Sequence, residues 1–281
     1  MRSSGDSTGW GARRGRTVAA ALFAAAAGFA SCATAEGIAV CADAGKSFAG
    51  VEAVGADYGA AIRLADGRKV RLAGVIAANE FDGADAAQRS MAALNALVAG
   101  KRVSLHGDAG KQDRYGRFIA QVTIDNDPAR WVQAVLVGDG AARVAPAGEA
   151  SDCARALLRV ERVARAAKSG LWAENGFAVL AARSVPELLG AAGRFAIVEG
   201  AVRRVGELGG RLYLDFGRRY NEDFTIVIPR EAQTAFAAAG FDLRNFAGMR
   251  IRARGVVFLL GGPALELRVP AALEVIGAEG T

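Results

Sequence analysis

The sequence predicts an α+β chain, mainly β with helices, divided into two domains. Three observations carry this expectation. Short apolar segments alternate with polar residues and are separated by Gly and Asp turns, the mark of half-buried strands. Two longer segments, 84–98 and 152–168, instead repeat their apolar residues at helical spacing. Composition then changes beyond Trp172, and 281 residues of which 52% are apolar suffice for two cores.

Residues 1–35 read as a signal peptide. Arg13, Arg14 and Arg16 precede an apolar stretch from Val18 to Phe29, and Ala33-Thr34-Ala35 supplies small residues for cleavage. The other reading, a spanning anchor, needs about 20 apolar residues, and this stretch is shorter and Ala-rich. The mature chain is thus expected to be exported, periplasmic or secreted, with no transmembrane helix. Two variants of export stay open: Arg13-Arg14 as a twin-arginine signal, and Phe29-Ala30-Ser31-Cys32 as a lipoprotein box with a lipid anchor at Cys32. Phe29 stands where that box usually has an aliphatic residue.

The leader accounts for part of the formal charge of +6. With its four arginines and one aspartate removed, 31 basic and 28 acidic residues remain, a net of about +3. So mild a balance does not argue for a polyanion ligand unless the charges cluster. Cleavage after Ala35 leaves Cys41 and Cys153, an even pair in an oxidising compartment and the natural candidates for a disulfide. With no Cys-x-x-Cys pair and His106 as the sole histidine, zinc sites and His-dependent triads are not expected, and the place of His106 at a strand end suggests a surface residue.

From Val51 to Val75 the pattern is a hairpin: Ile62 and Leu64, the turn Ala65-Asp66-Gly67, then Val70 and Leu72. Ala87, Met91, Leu94 and Val98 put a helix over 84–98, stopped by Gly100. Strands follow at 102–105 and 117–124 around the polar loop 107–115, then a short helix at 131–137. A strong helix covers 152–168, ended by Ser169-Gly170 and sealed by Leu171-Trp172. Ser184-Val185-Pro186-Glu187 has the form of a capping box opening a helical linker, assigned to 174–192. From Gly193, strands at 195–205, 211–216, 223–228, 249–258 and 264–269, with a helix at 230–239 after the third, give the order of a small OB barrel over 193–278.

Four segments of the first domain agree in order and spacing with a known family: Asp66 to Val75, Asp113-Arg114-Tyr115-Gly116-Arg117 running into Phe118-Ile119-Ala120, Leu136 to Val144, and Glu161 to Trp172. Residues 50–173 resemble the staphylococcal nuclease (thermonuclease) family. The resemblance implies an OB barrel decorated by three helices. It also implies a site in which two aspartates hold calcium, a glutamate acts on the attacking water and two arginines grip the phosphate. Calcium prefers hard carboxylate oxygens, and the charge of a phosphodiester transition state is met by guanidinium forks.

By register Arg71 and Arg117 fill the two arginine positions, and Arg114 and Tyr115 fall where the family contacts nucleotide phosphate. The acidic half is vacant. Ala60 and Ile76 stand at the metal aspartates and Asn79 at the catalytic glutamate, while Val144-Ala145-Pro146 lacks the tyrosine that supports the nucleotide. A one-residue slip would bring Asp57 and Glu80 toward the site, with Asp82 and Asp85 nearby. The hairpin register fixed by Asp66-Gly67 and Val70 to Gly74 opposes that slip. Arg71 and Arg117 equally suit structural ion pairs, to Asp113 or Asp57.

Two further basic groups stand out. Arg155, Arg159 and Arg162 share one face of the 152–168 helix, as a solvated face also would. Arg250, Arg252 and Arg254 alternate with Met249 and Ile251 on one strand, and Tyr213 alternates with Leu212 and Leu214 on another, which suits a platform for single strands. A solvated face with Arg opposite Asp215 and Glu266 gives the same pattern.

The resulting expectation is an exported, thermonuclease-like pseudoenzyme that binds nucleic acid or another phosphorylated ligand without efficient cleavage. No cofactor is expected. One alternative is a calcium-dependent phosphodiesterase using Asp57 and Glu80 as displaced acids; another is a structural or protein-interaction module.

Overall fold

A computed structural model describes residues 46–58, 60–107, 111–125, 130–148, 151–173, 177–219 and 222–278. The first domain is a closed five-stranded barrel in the order β1-β2-β3-β6-β5. Its strands are β1 Lys46–Asp57, β2 Ala61–Leu64, β3 Lys69–Leu72, β5 Lys101–His106 and β6 Phe118–Ile124. β1 is long enough to pair with β2 through its second half and with β5 through its first. It does so by slipping register between Ala53 and Gly55 and again between Phe48 and Val51. These irregularities bend one strand around the barrel and close the sheet, which removes its exposed edges.

The hairpin read from the sequence is present, with Ile62 opposite Val70 and both side chains in the core. β3 and β6 run parallel, Val70 opposite Phe118. The crossover between them includes α1 Ala84–Val98, whose Leu94 and Val98 seal the barrel. β4 Val75–Ala77 leaves the barrel to pair with β7 Ala142–Val144. α2 Val132–Gly138 and α3 Ser151–Ala166 pack together beside this ladder. Gly140, at φ 67°, lies against the Ser169 carbonyl, and Leu171 N donates to Gly140 O at 3.1 Å. A side chain there would strike backbone, so the chain can be sealed after α3 only by a glycine.

The strands expected to form a second small barrel fall into two sheets rather than one closed sheet. The sheets are β10-β11-β12-β15-β14 and β16-β13-β9-β8. The segment expected as one strand over 195–205 breaks into β9 Phe195–Ala201 and β10 Arg204–Leu208. Val202 is buried at the break, where its N–H donates to Met249 O while Arg203 N donates to Asp215 O. The chain thereby changes partner from β13 Met249–Val256 to β11 Arg211–Asp215. In the same way 249–258 divides at buried Val257 into β13 and β14 Phe258–Leu260. β12 Thr225–Ile228 runs parallel to β15 Gly262–Glu266 and is followed by α5 Arg230–Ala238. Taken along these bent strands, the pairings repeat the order of the first barrel, including the parallel pair and the helix after the third strand.

The segment 174–192 is not only a helical linker. It contributes the edge strand β8 Val179–Ala181 as well as α4 Val185–Gly190. Ser184 makes no side-chain cap to α4, so the capping box does not form; buried Leu188 fixes the helix instead. A last strand, β16 Leu273–Ala278, pairs with β13 and was not legible from the pattern.

Candidate functional site

Asp113 builds the loop that enters β6. Its Oδ1 accepts from Tyr115 N at 2.9 Å and Arg117 N at 3.1 Å, and its own N–H donates to Arg117 O at 2.9 Å. Oδ2 takes the Arg117 guanidinium, at 2.8 Å from Nε and 2.7 Å from Nη2. Burial pushes the Asp113 carboxyl up, but the hydrogen bonds from the Arg117 side chain and the loop N–H groups outweigh it and hold it below its ordinary value. Arg117 Nη1 also donates to Tyr58 O at 3.3 Å. Of the two ion pairs suggested by the sequence, this one to Asp113 is formed.

On this loop Tyr115 is 65% exposed. Two guanidinium carbons lie near its ring, Arg114 at 4.8 Å and Arg117 at 5.2 Å from the ring centre. Arg114 Nη2 donates to the Tyr115 hydroxyl at 2.7 Å. Arg71 rises from β3 beside Ala61 and Ile119, half-buried on the outside of the barrel. It makes no ion pair with a described residue. Because Arg71 lies opposite Ile119 on the parallel strand β6, Arg117, just before that strand begins, is two residues along the neighbouring segment from it. The result is an exposed aromatic residue with two guanidiniums close to its ring, and on the neighbouring strand β3 an arginine that makes no ion pair with a described residue.

The facing positions do not fit a calcium ion. Ala60 is buried, with its backbone in the left-handed region at φ 56° and its carbonyl accepting from Leu72 N. Ile76 is half-buried on β4 opposite Arg143. Asn79 caps the short 3-10 turn Glu80–Asp82: its Oδ1 accepts from Phe81 N at 2.9 Å, and its N–H donates to Asp82 Oδ2 at 3.1 Å. The nearby carboxylates are committed or turned outward. Asp82 is held by Arg143 at 2.8 and 3.0 Å, Asp57 by Lys69 at 2.9 Å, and Glu80 and Asp85 face solvent. The hydrogen bond from Lys69, against a smaller effect of burial, lowers the Asp57 carboxyl below its ordinary value, which makes it a weaker base. Among the described residues no group of three or more His, Cys, Asp or Glu is placed to hold a metal.

A closed OB barrel that carries such a cation-flanked ring belongs to a class of scaffolds used on nucleic acids and phosphorylated ligands. The model of the staphylococcal nuclease homologue family matches residues 69–174, so the first domain is a staphylococcal-nuclease-type domain. No curated protein matches the chain.

The second basic group is arranged otherwise than expected. Tyr213 lies on β11 in the five-stranded sheet, whereas Arg250, Arg252 and Arg254 lie on β13 in the four-stranded one. Arg254 faces not solvent but the first domain. Its side chain is 0% exposed, with Nη1 2.7 Å from Glu161 Oε2 and 3.1 Å from Val144 O. Glu161, also 0% exposed, accepts from Val144 N at 2.8 Å through its other oxygen. Arg250 and Arg252 both take Glu199, at 2.8 and 2.7 Å. The sheet face is therefore a junction of paired charges. One sequence signal pointed to it: Glu161 shares the apolar face of α3 with Leu157 and Ala164, where an acid needs a buried partner.

Other expectations fare variously. His106 is buried rather than superficial, its Nε2 2.9 Å from Thr123 Oγ1 across the β5–β6 pair. Arg155, Arg159 and Arg162 are exposed on α3, with Arg155 paired to Asp152. Cys153 is buried at the start of α3, while Cys41, Cys32 and the leader lie outside the described residues. Among the described residues no helix is long and apolar enough to cross a membrane.

Proposed function

We propose that this chain is a non-catalytic binder of nucleic acid or another phosphorylated ligand, built on a nuclease-type barrel. The carrying observation is the exposed Tyr115 with the Arg114 and Arg117 guanidiniums near its ring, on the segment that leads into the strand beside Arg71, which makes no ion pair with a described residue. In this reading a base stacks on Tyr115 and the phosphate is taken by Arg71 and Arg114. Arg117 is already held by Asp113, so its main part is to fix the loop. Cleavage is not expected, because Ala60 and Ile76 offer no anionic oxygen and the Asn79 amide is both a cap and without a useful basicity.

The proposal includes export through residues 1–35 to the periplasm or the medium, with lipidation at Cys32 as an alternative end state. It also includes a Cys41–Cys153 disulfide, supported by the burial of Cys153 at the start of α3. Fractionation and intact mass of the isolated protein test the export route. Anisotropy titration of a labelled single-stranded oligonucleotide tests the binding. Arg71→Ala with Tyr115→Ala should weaken it at least tenfold, and unchanged affinity in that double variant would reject the site.

A further inference from the structure

A second cationic site lies in the second domain, at the end of β11 and the break between β9 and β10. A cleft of about 410 Å³ opens there, lined by four arginines, Arg203, Arg204, Arg218 and Arg219, together with Asp215, Asp223 and Thr225. Its volume is in the range of sites that hold small ligands.

The two aspartates of the cleft are committed internally. Asp215 Oδ2 accepts from Arg204 Nε at 3.0 Å and Nη2 at 2.7 Å, and Oδ1 accepts from Thr225 Oγ1 at 3.2 Å. Asp223 folds over Gly217 so closely that a Cβ at that position would overlap its carboxylate, and it accepts from Arg219 N at 2.7 Å. Arg219 is paired with Glu222 at 3.1 Å. Two guanidiniums are left over. Arg203 and Arg218 are exposed, line the cleft from opposite segments of chain, and make no ion pair with a described residue. The strand break explains one of them: turning Val202 into the core while Arg203 N bonds Asp215 O directs the next residues to the rim. The glycine at 217 explains the other, since only without a side chain can Asp223 tuck inward and leave Arg218 outside.

We propose that this cleft binds a phosphate group, with Arg203 and Arg218 as its ligands and Arg204 and Thr225 behind them. An oxyanion is the partner that two uncommitted guanidinium forks select, and guanidiniums pair with phosphate through two parallel N–H groups. The site is separate from the one on the first barrel and does not depend on it. The phosphate is carried either by a small monoester or by a phosphodiester chain, which would then have contacts on both domains.

Calorimetric titration of the isolated protein with 5′-phosphorylated pentathymidylate, and separately with inorganic phosphate, tests this. The parent should bind at two sites. Arg203→Ala with Arg218→Ala should remove one of them, weakening it at least tenfold, and should reduce the salt slope of oligonucleotide binding by about 1.4, the loss of two phosphate contacts on a single strand. Arg203→Lys with Arg218→Lys should keep part of the affinity. Binding of both inorganic phosphate and the oligonucleotide by the parent at this site, both lost in the double alanine variant, marks a monoester ligand; binding and loss of the oligonucleotide alone, with inorganic phosphate never bound there, marks a phosphodiester chain. Both residues are exposed, so an unchanged thermal midpoint is expected and verifies the fold. Unchanged stoichiometry and affinity in the double alanine variant would overturn the proposal. Failure of the first-barrel site reads differently: Arg71→Ala with Tyr115→Ala would leave binding intact while the Arg203 and Arg218 pair abolished it.

Discussion

Arg254 of β13 and Glu161 of α3 form an ion pair 2.7 Å long with both side chains fully buried, and it joins the two domains. Arg254 also holds Glu274 Oε1 at 2.5 Å through Nη2, and the pair is further hydrogen-bonded, Glu161 to Val144 N and Arg254 to Val144 O. Burial without these partners would be prohibitive.

Removing one partner should therefore cost more than removing both. Arg254→Met alone strands the buried Glu161 carboxylate and takes the nearer partner from Glu274, and is expected to destabilise by about 3–5 kcal/mol, whereas Arg254→Met with Glu161→Leu and Glu274→Gln should recover much of the loss. Urea denaturation followed by tryptophan fluorescence measures this. Equal stabilities for the parent and the single variant would show that the pair contributes nothing to docking.

The Asp113–Arg117 pair predicts an acid-side dependence. The folded-state pKa of Asp113 is depressed, so its contribution is fully present above the ordinary value of 3.8 and is lost as pH falls through the lower folded value. Asp113→Asn should lower stability near neutral pH. The gap between variant and parent should close as pH is taken below 3.8, and thermal melts across that range read it. A gap that stayed constant down to the acid limit would mean that the carboxylate charge is not what holds the loop.

Much of the first barrel was legible because its signals are local. Ile62 and Val70 alternate around an Asp-Gly turn, Leu94 and Val98 fall at helical spacing, and Arg71 and Arg117 sit in short motifs with fixed neighbours. The second domain was legible in strand order but not in closure, since nothing local at Val202 or Val257 announces that a strand will change partner there. Arg254 was misplaced for a related reason. Alternation says which face of β13 a side chain takes, but not that another domain covers that face. The committed state of Asp82 and Asp57 was equally out of reach, because each partner is fixed only by the tertiary fold, Asp82 by Arg143, distant in sequence.

Cys41 and Cys153 are expected to be joined in the isolated protein, tying the segment before β1 to α3. Thiol titration in denaturant should find neither cysteine free until a reductant is added, and reduction should cost about 2–5 kcal/mol of stability. Two titratable thiols in the oxidised, leader-processed protein would remove the linkage.

The nuclease-type domain is expected to show no calcium-stimulated cleavage of single-stranded DNA. Losing the base alone should cost about two to four powers of ten, and losing the metal ligands adds to that. Restoring the acids by Ala60→Asp, Ile76→Asp and Asn79→Glu should yield measurable calcium-dependent cleavage if Arg71 and Arg117 still converge on the phosphate. The backbone at residue 60 favours the attempt, since aspartate is among the side chains that tolerate its left-handed conformation. Asn79→Glu works against it by removing the cap on the Glu80–Asp82 turn, at about 1 kcal/mol, so circular dichroism must accompany the assay. Parent and triple variant are compared with calcium and with chelator. Robust calcium-dependent cleavage by the parent, abolished by Glu80→Gln, would replace the binding reading with an enzyme whose acid has moved one residue along the chain.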